Sequence, residues 1–579
     1  MGPWTQVSGT VWRAPIPSNV WKDLYGNLHS PIGIVVNEVP LRQVTQGQRG
    51  STAVQVGLAG VTSGSGKWHN GGNGGFITAD FGTTIGSGDP NLADIVVPSD
   101  DGYQYHIFFY DAKYLTIKGI TTRGSGNAGI WGYGRNITID SVNVKFNGKQ
   151  AISFQPLTNN PSTNSDNSVL YSHVYHNALN NWPRGNNGFA EAGGGWGGGV
   201  GWSTQLRPLA RGNIVHMNGG EGIITYGSNK NLQSGSALFE QNVSYDNWSV
   251  NMYFDNQPND VARNNILFNH PADPANFLAN TGSAYETLDK SSTCLMLADE
   301  QGSSDFIILD PRTNQPYYLS SMSIAEGGFG LTPFDPNDPT GIPYSKSANL
   351  DNSKVYNNIM AGCRIGIRDY SEGNDGRENS ARATHGLKNT LIANNTIIMP
   401  SVPYSMASFG IHIQDNKTCP TGVGGGAACP NVDHNINTVI QNNLIIAPTD
   451  IGYDSDNAAL VWSELGQLSP GINLDYNNYY APINVTKPFR VGFNSAVRLN
   501  FSSWKATIVG SETHSSYVDP SLVNVSSFGE SVTASPLYFY GNANLSSGSP
   551  LIGAGAAQSF VPANNFTGQV RSIWNIGAF

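Results

Sequence analysis

Five Asn-Asn pairs recur inside apolar, β-rich segments: Asn264-Asn265 in VARNNILF, Asn357-Asn358 in VYNNIMA, Asn394-Asn395 in LIANNTIIM, Asn442-Asn443 in VIQNNLIIA and Asn477-Asn478 in LDYNNYY. A buried amide is costly unless its donors and acceptors are paired. One such Asn would be an oddity, whereas a series implies stacked copies. If successive turns of the chain lie about 4.8 Å apart, each Asn can bond the coil above and below it, as in ladders of stacked strands. The pairs are therefore expected to be structural and aligned on one inner turn of a solenoid.

Spacing agrees where the loops are short. Leu115 to Ile137 and Ile130 to Ile152 are both 22 residues, and Val243 to Ile266 is 23. Between them a short strand, a polar turn and a second short strand repeat in the same order. Periods of this length with β-branched strands fit stacked coils better than a sandwich. On these repeats the chain resembles the right-handed parallel β-helix proteins, which include pectate and alginate lyases, glycoside hydrolases, polymannuronate epimerases and phage tailspikes. The resemblance spans roughly residues 105 to 560. It implies an all-β, right-handed parallel β-helix and names no single activity.

Composition narrows the partners. With 68 Gly and 12% charged residues the chain is turn-rich, while 39% hydrophobic residues suffice for a long core. No apolar stretch reaches the ~20 residues of a membrane span, so no membrane anchor is expected. A formal charge of -10 without a Lys/Arg-rich run argues against nucleic acid. It also means that bulk charge alone would not hold a polyanionic glycan. The expected partner is a polysaccharide, met outside the cell or in the periplasm.

Three regions break the repeat. Residues 1–104 alternate without the 22-residue period and read as a small β attachment on the first coils, leaving 105–579 for the solenoid. Residues 268–350, rich in Asp, Pro and Gly, read as a long insertion walling a groove. Residues 185–204 hold nine glycines with Trp196 and Trp202, a composition suited to close approach of a sugar and stacking against it. Of the four cysteines, Cys419 and Cys429 bracket a Gly-rich loop and are the favoured disulfide. Cys294 and Cys363 are either a second bridge or buried thiols.

Residues 216–255 concentrate ionisable side chains. Glycoside hydrolysis needs two carboxyl groups, about 5 Å apart for retention or about 6.5 to 9.5 Å for inversion. Glu221, between glycines at the start of one strand, is the expected catalytic acid, with Asp255 or Asp246 as partner. Tyr226, Tyr253, Lys230 and Arg184, with the two tryptophans, complete the expected sugar-binding set. Asp255 and Asp246 are equally natural at strand-to-turn junctions. Hydrolysis without a metal is preferred. A lyase would instead need a base at C5 and neutralisation of the uronate by Arg or Ca²⁺. A C5-epimerase shares that first step, and a non-enzymatic glycan-binding scaffold is the remaining reading.

Overall fold

The computed structural model describes residues 3–15, 31–43, 61–65, 67–70, 76–99, 104–157, 163–179, 198–226, 235–255, 257–269, 293–299, 307–309, 316–319, 331–333, 352–371, 387–401, 403, 407–413, 435, 437–455, 458–464, 471–492, 497–508, 511–523, 544–557 and 564–578. Three long sheets of ten, eleven and twelve strands run side by side. Each coil contributes one strand to each sheet, and neighbours pair in parallel. Among the described residues of these three sheets, only the last strand of the third, Val497–Leu499, is antiparallel to its neighbour. This is a parallel β-helix.

The 22-residue spacing is the coil register itself. Thr116 pairs with Thr138, Thr121 with Asn143 and Ile130 with Ile152, and the 23-residue step is the pairing of Val243 with Ile266. Strand side chains alternate between faces, so identical register stacks like on like. Ile152, Val200, Ile223 and Met252 form one inner column of the third sheet, buried in the main core.

The two residues of an Asn-Asn pair do different work. In four pairs the first residue, Asn264, Asn357, Asn394 or Asn442, has φ between 54° and 57°. Asn tolerates this left-handed turn between the first and second sheets better than most residues. The second residue points inward and builds the ladder. Asn265 donates to Asn358 at 3.0 Å, Asn358 to Asn395 at 3.0 Å, Asn395 to Asn443 at 3.0 Å and Asn443 to Asn477 at 3.1 Å. Asn213 and Asn242, which are not in Asn pairs, continue it toward the N-terminus. A parallel ladder of Asn147, Asn177, Asn218 and Asn247 lines the next turn.

The expectation that both residues of each pair share one inner turn is corrected accordingly. The first residues face outward and hold the C-terminal segment through its carbonyls: Asn264 bonds Phe566, Asn357 bonds Asn564, Asn394 bonds Asn575 and Asn442 bonds Ala556. In Asn477-Asn478 the register slips by one, because Tyr476 takes the positive φ of 54° and Asn477 the ladder position.

Among the described residues the coils stop short of the end of the chain. Their last parallel strand is Ser516–Tyr517, and Phe501–Thr507 forms a helix whose buried Trp504 stacks on Phe489 at 5.0 Å. Leu545, Leu551, Phe566 and Ile576 then run back over the outer face of the second sheet, against Ile359, Ile398, Leu444 and Ile446. At the other end, five- and three-stranded sheets precede the first coil. They meet the coils where Val35 packs with Phe146 and Leu179 and where Glu38 accepts from the Tyr175 hydroxyl at 2.7 Å and pairs with Lys145.

The 268–350 segment is not one excursion. Thr293–Asp299 within it is a strand of the third sheet, between Val250–Asp255 and Ile365–Ser371, and Ile307–Leu309, Pro316–Leu319 and Leu331–Pro333 form a small antiparallel sheet. A disulfide joins Cys294 to Cys363 across 69 residues, which resolves the alternative of two thiols. Cys419 and Cys429 lie outside the described residues.

Candidate functional site

The third sheet has the longest strands, and its outward face carries the densest chemistry. Glu221 and Asp255, picked from sequence, do not assemble there as a pair. Glu221 precedes the strand Ile223–Tyr226, whose last residue pairs with Asp255 at the end of Val250–Asp255. The two carboxylates thus lie at opposite ends of neighbouring strands. Five residues at about 3.3 Å each put them some 16 Å apart along the strand, beyond the reach of a glycosidase pair. Asp246 sits in the turn before the third sheet with φ 51°, the position held in other coils by Phe146, His176 and Met217. Its amide bonds the Asn269 side chain at 3.0 Å. All three acids are buried.

Trp202 is a correction. It points inward at 1% exposure and stacks on Phe154 at 5.7 Å with nearly parallel rings. Tyr253 faces outward but is 4% exposed, packed with Val250, Met296 and Ala298. Tyr226 is 37% exposed beside Asp255. Trp196, Arg184 and Lys230 lie outside the described residues, as does most of the 268–350 segment expected to wall the groove. Arg263 belongs to the first sheet, where it bonds Glu240 at 2.7 Å and the Tyr356 hydroxyl at 3.2 Å.

The cluster that sequence reasoning missed lies further along the same face. One outward column of the third sheet runs Met296, Arg368, His412, Trp462, Arg490 and Arg498. His412 lies flat on Trp462, with ring centres 4.2 Å apart and planes 3° from parallel, and the Arg490 guanidinium covers Trp462 at 4.3 Å. Phe409 packs beside both rings. The imidazole Nε2 is 2.9 Å from Glu464 Oε1, and both side chains are buried. A carboxylate only accepts, so with Glu464 ionised the proton sits on Nε2 and Nδ1 keeps its lone pair. Nδ1 has no hydrogen-bond partner among the described residues.

Burial first, then the charges of Arg368, Arg364 and Arg490, push the His412 pKa well below its ordinary 6.5. The result is a neutral imidazole, oriented by a carboxylate, amid guanidinium groups and an indole face. The set combines positive charge with a neutral base, and Nδ1 is buried with the rest of the ring. The usable signal in the sequence was positional: GIRD, GIHI, LVWS and FRV each place this residue after an inward aliphatic or Phe. Among the described residues, no three His, Cys, Asp or Glu side chains gather as a metal-ion site.

No family model and no curated protein matches the sequence. Among solved structures the chain is similar to XylC in complex with xylose, at 11% identity over 86% of this chain and 74% of that one, with a TM-score of 0.43. It is also similar to the pectate lyase Pel9A, at 12% identity over 82% and 72% with a TM-score of 0.33. A third is an alginate lyase from Paenibacillus sp., at 10% identity over 65% and 92% with a TM-score of 0.31.

Proposed function

We propose that this chain is a carbohydrate-active enzyme that cleaves an acidic polysaccharide by β-elimination on the outward face of the third sheet. The observation that carries the reading is the geometry at His412, held by Glu464 at 2.9 Å, stacked on Trp462 and set in one column with Arg368 and Arg490. In this reading Arg368 and Arg490 bind the uronate carboxylate, the charge role that Ca²⁺ would otherwise fill, and Trp462, sandwiched between His412 and Arg490, holds both in place. His412 Nδ1 takes the C5 proton. The electron pair left on C5 forms the C4–C5 double bond, and the C4–O glycosidic bond breaks with its electrons going to the leaving oxygen, which takes a proton from water while His412 returns its own to solvent. Local guanidinium charge also answers the objection that the chain is acidic overall. The Cys294–Cys363 disulfide supports a place of action outside the reducing cytosol.

A panel of alginate, polygalacturonate, xylan and laminarin, read for both new reducing ends and the ultraviolet absorbance of an unsaturated uronate, tests the reading. Both signals together on a uronate polymer are expected. Reducing ends without absorbance would replace elimination by hydrolysis, the activity preferred from sequence.

A further inference from the structure

On the first coils of the third sheet the outward face changes character. Phe108 and Tyr110, on the strand Tyr105–Lys113, are 52% and 68% exposed. Trp131 and Tyr133 stand on the next strand, with Tyr133 ring centres 6.2 Å from Phe108 and 5.6 Å from Tyr110. None of the four belongs to a core cluster. Exposed aromatic surface on this scale is unfavourable in water unless something covers it. The backbone also departs from the ladder here: the register slips between Gly132 and Gly134, with Asp111 at φ 47°. A bulge of this kind re-aims side chains.

One coil further on, the rings give way to small polar groups in the same two columns. Trp131 is followed by Ser153 and then Gly201, and Tyr133 by Gln155. Gln155 Nε2 donates to Ser153 Oγ at 2.8 Å. The columns therefore pair aromatic faces with hydroxyl and amide groups, and carry no charge at these positions. Pyranose rings present that combination in reverse, with apolar C–H faces and hydroxyl edges. The Trp131 column continues along the sheet to Arg368 and His412, about 30 Å away from Trp131 at ~4.8 Å per strand.

We infer that the Phe108, Tyr110, Trp131 and Tyr133 platform, with the Ser153–Gln155 shelf, is a distal subsite that grips the polysaccharide chain whose reacting ring lies at His412. This rests on the proposed function for its direction along the sheet. Affinity electrophoresis through gels containing alginate, polygalacturonate, xylan or laminarin tests it, using the full chain carrying His412→Gln so that the polymer survives. Retardation by at least one polymer is expected, with the binding constant weakened about tenfold by Tyr110→Ala together with Trp131→Ala. Circular dichroism would confirm that the variant stays folded.

Retardation by none of the four, or equal retardation of the double variant, would overturn the subsite. So would sedimentation showing that the two substitutions turn a dimer into a monomer, since the rings would then cover a second copy. Failure of elimination chemistry is read separately in the product assay and leaves the retardation measurement standing.

Discussion

Replacing His412 with glutamine is expected to slow cleavage of the uronate substrate by at least ~10²-fold, the usual scale for losing a positioned proton acceptor. Glutamine keeps a hydrogen-bonding group toward Glu464 but has no basic lone pair to take the C5 proton. Because the pKa is held below the ordinary 6.5, the neutral base persists on the acid side of the usual histidine range. The acid limb of the wild-type rate profile should therefore fall below that value. Arg368→Ala removes a nearby positive charge, which raises the His412 pKa and moves the limb to higher pH. Because burial also lowers this pKa, Arg368→Lys separates charge from packing: it keeps the charge and should leave the limb near the wild-type position, whereas loosened packing would move it upward in both variants. Glu221→Gln serves as the counter-test: near-normal turnover is expected, whereas a loss as large as that of His412→Gln would return catalysis to the carboxylates.

Asn395→Ala is expected to destabilise the solenoid by about 4 kcal/mol, read as the midpoint of denaturant unfolding. Its amide donates to the Val355 carbonyl and to Asn443, and its oxygen accepts from the backbone and side-chain amides of Asn358. Alanine leaves these four buried groups short of a partner, at roughly 1 kcal/mol each. Asn394→Ala should cost less, about 1 to 2 kcal/mol, because only the Asn575 and Gly577 carbonyls lose a partner beside the strain of a left-handed backbone. Equal effects at the two positions would contradict the division of labour within the pair.

The fold was legible because burial and register write the same signal many times. Inward columns demand apolar residues, ladder positions demand Asn, and coils at 115–155 have loops short enough to preserve the 22-residue step. Where loops lengthen, the step is lost: Arg368, His412, Trp462 and Arg490 are separated by 44, 50 and 28 residues. No period connects them, although the register places them in one column. The carboxylates near 221–255 were close in sequence, but strand direction carries them to opposite ends. Trp202 follows Val200 by two residues, so alternation puts both on the inner face, a reading that the surrounding glycines obscured.

Proton NMR of a uronate oligosaccharide digested in deuterium oxide tests the central claim most directly, because it follows the hydrogen that His412 is held to remove. The account predicts that the H5 signal of the cleaved residue disappears as an olefinic H4 signal grows, and that both changes stall with His412→Gln. An H5 signal that stays intact while new reducing-end anomeric signals appear would contradict it.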